Sequence, residues 1–266
     1  MNLLNSLSFG RKKIQVRELE RFNLFVAALL AIQAIVILVI GNHASGSRPI
    51  TVGYLAKDQL SSSAAGSTVL APATHHLFDL NLVYVIAAFM LISALSYALT
   101  VTRYKKLYEQ DLKANINHIR WIGFAVSSAL MMIVISIVAG VYDVSTLTLI
   151  GGLTAVAALL GLLLETVRPA NWFNYWLGLG AAIFAWKVPL TYLWSSHVWG
   201  SGVPTYVYWL VISMLLLSAS LIINTGFQRQ KIGHWENYLF GERMFIILNL
   251  VAQTALAWQI YAGTLR

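Results

Sequence analysis

Seven long apolar runs, separated by short polar breaks, dominate the chain: 22–41, 80–102, 121–141, 144–164, 172–194, 204–224 and 244–265. Each is about 20 residues long, enough at ~1.5 Å per residue to cross a bilayer core of about 30 Å. The pattern predicts an all-α integral membrane protein with seven spanning helices, in a transmembrane domain at 22–265. In the last run (GERMFIILNLVAQTALAWQIYAGTL, 241–265) Gln253 falls near the middle, with Asn249 one turn earlier on the same face. Buried amides at that depth need partners, so this face is expected to look into a helix bundle rather than lipid.

The connections are mostly short. Residues 1–21 form a polar, basic tail that reads as a positive flank orienting the first span, with a short amphipathic surface helix as the alternative. A signal peptide is disfavoured because the 22–41 run exceeds the usual 7–15 residue apolar core. The one long connection, 42–79, is rich in Ser, Gly, Ala and Thr, and its segments 50–55 (ITVGYL) and 67–70 (STVL) have β character consistent with a small hairpin. His75 and His76 at its end lack a third metal ligand nearby and read as exposed loop histidines. A two-residue break around Tyr142 and Asp143 separates the third and fourth spans.

Composition narrows the class. The chain of 266 residues is 58% hydrophobic and 11% charged, where a soluble domain carries about 25% charged residues. There are no cysteines, hence no disulfide framework, thiolate nucleophile or Cys-based metal site. Nine Trp and twelve Tyr suit interfacial belts.

The net charge of +8 would suit nucleic acid, but its placement argues for a membrane. With the N-terminus inside, Arg11, Lys12, Lys13, Arg17, Arg21, Arg103, Lys105, Lys106, Lys113, Arg120, Arg168, Arg229, Lys231 and Arg243 are cytoplasmic. Only Arg48, Lys57 and Arg266 are outside, and Lys187 lies within a span. This asymmetry predicts a cytoplasmic N-terminus and an extracellular C-terminus in the cell membrane, with 42–79 outside. Basic inner loops favour anionic lipid headgroups, so membrane lipids are the expected partners and nucleic acid is not.

Lys187 is the only ionisable residue deep in a run, and an intramembrane charge marks a functional site by default. It reads either as a snorkelling lysine or as an anchor for an anionic or carbonyl ligand. Asp79 and Asp143 lie at outer span ends, and Glu165 and Glu242 at inner ends near Arg168 and Arg243 in sequence. These acids read as helix-end charges with local basic partners, so the carboxylate path that a pump needs is missing. Asn249, Gln253, Ser127, Ser128 and Tyr97 are candidates for an internal hydrogen-bonded network. Gly151, Gly152, Gly178 and Gly180 read as close helix contacts. No nucleotide-binding glycine loop, His-Glu-x-x-His or Gly-x-Ser-x-Gly motif occurs, and no enzymatic activity is expected.

Three stretches carry a family resemblance: 119–132 (IRWIGFAVSSALMM), 235–243 (WENYLFGER) and 248–265 (LNLVAQTALAWQIYAGTL). They resemble heliorhodopsins, whose third-helix pattern is Arg-Trp-x-Glu-Tyr-x-x-Ser. The long first loop, the short turn between third and fourth spans and the inverted topology fit the same family. The resemblance implies a rhodopsin-like seven-helix bundle and a homodimer, with the first loop contributing to the interface. It also implies a retinal pocket, in which the Schiff-base lysine falls on Gln253, the counterion glutamate on Gly123 and an internal histidine on Tyr97. Ser127, Asn249, Trp186 and Trp258 are further pocket positions by resemblance.

Retinal attachment requires a lysine amine, and the resulting cation requires a nearby carboxylate. Both are replaced here, so no covalent cofactor is expected, while a retinal or lipid-like ligand held without a bond is compatible with the chain. The expected function is a non-photochemical sensor, scaffold or regulatory protein, with a cytoplasmic protein as its candidate partner. The alternative is a light-sensing receptor with retinal attached at Lys187. A transporter or channel fits less well because no charged path crosses the bundle.

Overall fold

The computed structural model describes residues 16–167 and 172–266. The tail reading at 1–21 therefore lies largely outside the described residues, as do Arg11, Lys12, Lys13 and Arg168. Among the described residues, seven helices are long and apolar enough to cross a membrane.

In chain order the elements are α1 (Val16–Ile40), a short α2 (His43–Gly46), β1 (Ser47–Lys57), α3 (Gln59–Ala65) and β2 (Leu70–Asn81). There follow α4 (Leu82–Val101), α5 (Lys105–Ala114), α6 (His118–Val138), α7 (Val144–Thr166), α8 (Phe173–Trp199), α9 (Thr205–Gln230) and α10 (Tyr238–Ile260). A 3₁₀ turn at Gly233–Glu236 precedes α10, and a π turn at Tyr261–Leu265 ends it. The spanning helices are α1, α4 and α6–α10, so α5 is an extra surface helix that the hydropathy pattern does not announce.

Helices suit this chain because lipid offers no partner for backbone N–H and C=O groups, and an α-helix satisfies them internally. Their starts are set by side chains. Asn81, Asn117, Asp143 and Asn237 cap α4, α6, α7 and α10, each accepting a hydrogen bond from a first-turn N–H. In α10 the buried positions Glu242, Phe245, Ile246, Asn249, Ala252, Gln253, Leu256, Ala257 and Ile260 recur at three- and four-residue spacing and form one inward face. Exposed apolar side chains such as Phe25, Ile32, Leu95, Ile183 and Leu216 cover the outer surface, as a lipid-facing bundle requires.

Around the bundle, α1 packs on α4 and α10, α4 on α6, α6 on α7, α7 on α8, and α9 on α10. The seam between α8 and α9 is sparser than its neighbours. The glycines expected at close contacts divide. A Cβ on Gly151 would stand 2.9 Å from Ile133, and one on Gly178 would stand 3.3 Å from the Ala157 carbonyl, whereas Gly152 and Gly180 face open space.

The first connection is more ordered than its composition suggests. The two strands form a long antiparallel hairpin, running from Ser47 opposite Asn81 to Lys57 opposite Leu70. A bulge leaves Leu77 unpaired where Ile50 faces Phe78 and Thr51 faces His76. The expected second β segment at 67–70 is thus misplaced, since β2 begins at Leu70 and the turn is filled by α3. Asp58 caps α3, and Gly66 closes it at φ +63°, a left-handed conformation natural to glycine. His75 and His76 sit exposed on β2, with His76 Nε2 3.1 Å from Asp79. The hairpin root is tied to the turn between α6 and α7, where Thr51 N–H donates to the Tyr142 carbonyl at 2.9 Å.

Candidate functional site

Two interior features meet inside the bundle: a polar chain along α4 and α10, and an apolar cavity beside it. Gln253 is fully buried. Its Nε2 donates to Ser93 Oγ at 2.6 Å and to Asn249 Oδ1 at 3.1 Å, and Asn249 Nδ2 donates in turn to the Tyr97 hydroxyl at 2.9 Å. The spacing of α10 stacks Gln253 over Asn249, and that of α4 stacks Ser93 over Tyr97, so two i, i+4 pairs face each other across one helix seam. Gln253 Oε1 has no hydrogen-bond partner among the described residues.

Ser127 and Ser128 do not join this network, contrary to expectation. Their hydroxyls turn back to the carbonyls of Phe124 and Ala125 on their own helix, the local bonding that serine readily adopts within helices. The serine that completes the chain is Ser93, which the sequence reading passed over because it lies in the otherwise apolar α4. Gly123 is buried against α4, where a Cβ would collide with the Ser96 hydroxyl and stand 2.6 Å from the Ser96 Cβ. Ser96 is one turn from Ser93, so positions 123 and 253 meet the same short stretch of α4.

The cavity has a volume of about 150 Å³ and is lined by α6–α10. Trp121, Phe124, Met131, Trp186 and Phe245 supply much of its wall, and Asn249 and Ala252 present the α10 face. Its few polar contributors include Ser128, Thr154, Asn174 and Thr225. Among the expected pocket residues, Trp186 and Asn249 line it, while Gln253, Gly123, Tyr97 and Ser127 do not. Trp258 is elsewhere, donating from Nε1 to Gln33 Oε1 on α1 at 3.0 Å. Lys187 is exposed on the outer side of α8 and borders a separate groove between α8 and α9.

At the other end of the same helices lies an ionic cluster. Arg120 is buried and pairs through Nη2 with Glu165 and through Nη1 with Glu242 at 3.0 Å. Asn117 donates from its side chain to Glu242 and from its backbone to Glu165 at 3.1 Å, and the Tyr238 hydroxyl donates to Glu165 at 3.2 Å. The Arg120 guanidinium also lies 4.7 Å from the Trp121 ring centre and 4.3 Å from that of Phe245. A cation in the first turn of α6 and an anion in the last turn of α7 each oppose their own helix dipole, and pairing them offsets both penalties. This corrects the reading of Glu165 and Glu242 as end charges with neighbours in sequence: Arg243 instead stacks 5.6 Å from the Phe22 ring centre.

The heliorhodopsin family model matches residues 19–265. The chain belongs to the heliorhodopsin family. No curated protein matches it. Among solved structures, it is similar to a light-driven proton pump LR (Mac) from Leptosphaeria maculans at 15% identity, over 94% of this chain and 83% of that one, with a TM-score of 0.46. As a heliorhodopsin the chain is a multi-pass membrane protein with a rhodopsin-like bundle. The Arg120 cluster was the part of this heliorhodopsin hardest to foresee, because its members are 45 and 122 residues apart and only the fold brings them together.

Proposed function

We propose that this protein is a non-photochemical member of its family, a membrane sensor or regulatory subunit that holds a lipid-like or retinoid ligand without a covalent bond. The observation that carries the reading is Gln253. The family resemblance puts the Schiff-base lysine at this position, and the residue here is an amide, committed to Ser93 and Asn249. An amide nitrogen cannot condense with an aldehyde.

The counterion position supports the same reading. Gly123 is packed on Ser96 with no room for a side chain, so a carboxylate there would need α4 and α6 to part. Covalent retinal therefore does not fit the residues present. The alternative attachment at Lys187 is disfavoured because Lys187 has no acidic partner among the described residues, so a protonated Schiff base there would lack a counterion. The apolar cavity beside Asn249 supports retention of a ligand by shape and burial. We further propose the topology that the basic asymmetry suggests, with the N-terminus in the cytoplasm, and a homodimer and a cytoplasmic protein as its partners.

The test is an absorption spectrum of purified protein after addition of all-trans retinal, followed by borohydride reduction and peptide mass analysis. The expected result is free-retinal absorption with no retinyl peptide. A red-shifted visible band with an adduct on Lys187 would overturn the reading and establish a relocated photoreceptor.

A further inference from the structure

We propose that the groove between α8 and α9 is the entrance to a binding site for a free long-chain carboxylic acid, with the carboxylate held by Lys187 and the chain running into the interior cavity. This rests on the preceding reading that the cavity takes a lipid-like ligand, and it specifies the chemical class.

The first observation is adjacency. The outer groove and the inner cavity share Leu179, Ala182, Trp186, Ser218 and Ile222, so one layer of side chains in the α8–α9 seam lies between them. Ala182 and Ser218 in that layer are small and the seam is sparser than its neighbours, so a modest shift of side chains there opens a passage for one alkyl chain.

The second observation is a lone cation at the mouth. Lys187 borders the groove and takes part in no ion pair among the described residues. It is the fifteenth residue of the 27-residue α8, so it lies about 18–21 Å from either helix end at ~1.5 Å per residue. Counted from the end of the apolar run at 194 it is seven residues in, about 10 Å at ~1.5 Å per residue, a distance that the four-carbon stem only partly bridges. An unpaired charge held short of the interface is costly in lipid, and an anionic partner removes the cost.

A single-chain acid meets both demands. Its small carboxylate can descend to the level of Lys187, and one alkyl chain suits one apolar passage. A phospholipid would have to draw a larger phosphate group, and a second chain, to the same depth. The wall beyond the passage, which includes Met131, Phe245 and Trp186, offers no second charge, as a hydrocarbon tail requires.

The experiment uses the full chain in phosphatidylcholine nanodiscs, with the polyene fatty acid cis-parinaric acid as the probe and its methyl ester as the neutral comparison. Saturable binding is expected, tighter for the acid by about tenfold or more. Lys187→Met is expected to reduce the acid to the affinity of the ester, Lys187→Arg to keep the difference, and Ala182→Trp to weaken both by narrowing the passage. Equal affinity of acid and ester, or indifference to Lys187→Met, would overturn carboxylate recognition while leaving the lipid-cavity reading intact. Displacement of the probe by phosphatidylglycerol built into the nanodisc would overturn the free acid in favour of a phospholipid. Absence of saturable binding by either probe would overturn this inference and the lipid-cavity reading together.

Discussion

Gly123 on α6 and Ser96 on α4 approach so closely that a Cβ added at 123 would lie 2.6 Å from the Ser96 Cβ. Helix seams in membranes close in this way where small residues face each other, because dispersion and not hydrophobic transfer drives the association. A methyl group at 123 therefore forces the seam apart. Gly123→Ala is expected to destabilise the protein by about 1–3 kcal/mol, and Ser96→Gly is expected to recover part of that loss in the double variant. Thermal unfolding of the four proteins in one detergent checks this, and strictly additive shifts would show that the two positions do not touch.

Arg120 balances two buried carboxylates, Glu165 and Glu242. Removing the cation alone strands both acids. Arg120→Met is expected to cost about 3–5 kcal/mol, the range for breaking a buried pair by removing one partner. Adding Glu165→Gln and Glu242→Gln should restore much of the stability, since the remaining groups then carry no charge. Denaturant unfolding in mixed micelles compares the single and triple variants. A triple variant no more stable than the single would mean that the ions themselves, and not their mutual neutralisation, hold the helix ends together.

Tyr97 and Asn249 test the polar chain. Tyr97→Phe removes the acceptor for Asn249 Nδ2 while keeping the ring, leaving a buried donor unmatched. The expected cost is about 1–3 kcal/mol. In Tyr97→Phe/Asn249→Leu the loss should be smaller than the sum of the single losses, as coupled partners require.

The sequence disclosed the bundle because lipid imposes a simple rule: about 20 apolar residues per crossing, with charges confined to the ends. Gln253 and Asn249 stood out for the same reason, being amides in an apolar run. What it concealed depended on contacts between distant segments. Ser93 and Ser96 look like ordinary small residues of α4 until α10 and α6 are laid against them. Arg120 looked like one more basic residue at an inner end, and only the fold makes it a buried partner of Glu165 and Glu242. The hairpin was half-legible, because alternation marks a strand while pairing register and the α3 insertion are set by the partner strand.

Asp143 offers a test by pH. Its carboxyl caps α7, and hydrogen bonds from the Thr146 N–H and hydroxyl hold it below the usual carboxylate range. A depressed folded value means that the contribution to stability is present above the ordinary value of about 3.9 and is lost as pH falls through the lower folded one. Asp143→Asn keeps a capping side chain and removes the titration. It is expected to leave stability at pH 7 within about 1 kcal/mol and to flatten the fall in melting temperature between about pH 5 and pH 2. An acid limb identical to wild type would place the sensitive group elsewhere.

The last prediction concerns what would restore a pigment. Gln253→Lys supplies an amine on the face of α10 that packs against Ser93. A protonated Schiff base there would lack a partner, because among the described residues the buried acids are Glu242, eleven residues earlier on α10, and Asp111 on α5, and both already have partners. The pair Gln253→Lys/Gly123→Glu supplies a carboxylate, but the close approach of Ser96 leaves it no space. We therefore expect the double variant to fold poorly or to give a band with little red shift on addition of all-trans retinal. Adding Ser96→Gly should open the seam and give a red-shifted band that borohydride fixes at position 253. A strong red-shifted pigment from Gln253→Lys alone at neutral pH would show that some other group serves as counterion, and that the packing of Gly123 on Ser96 is not what keeps the site dark.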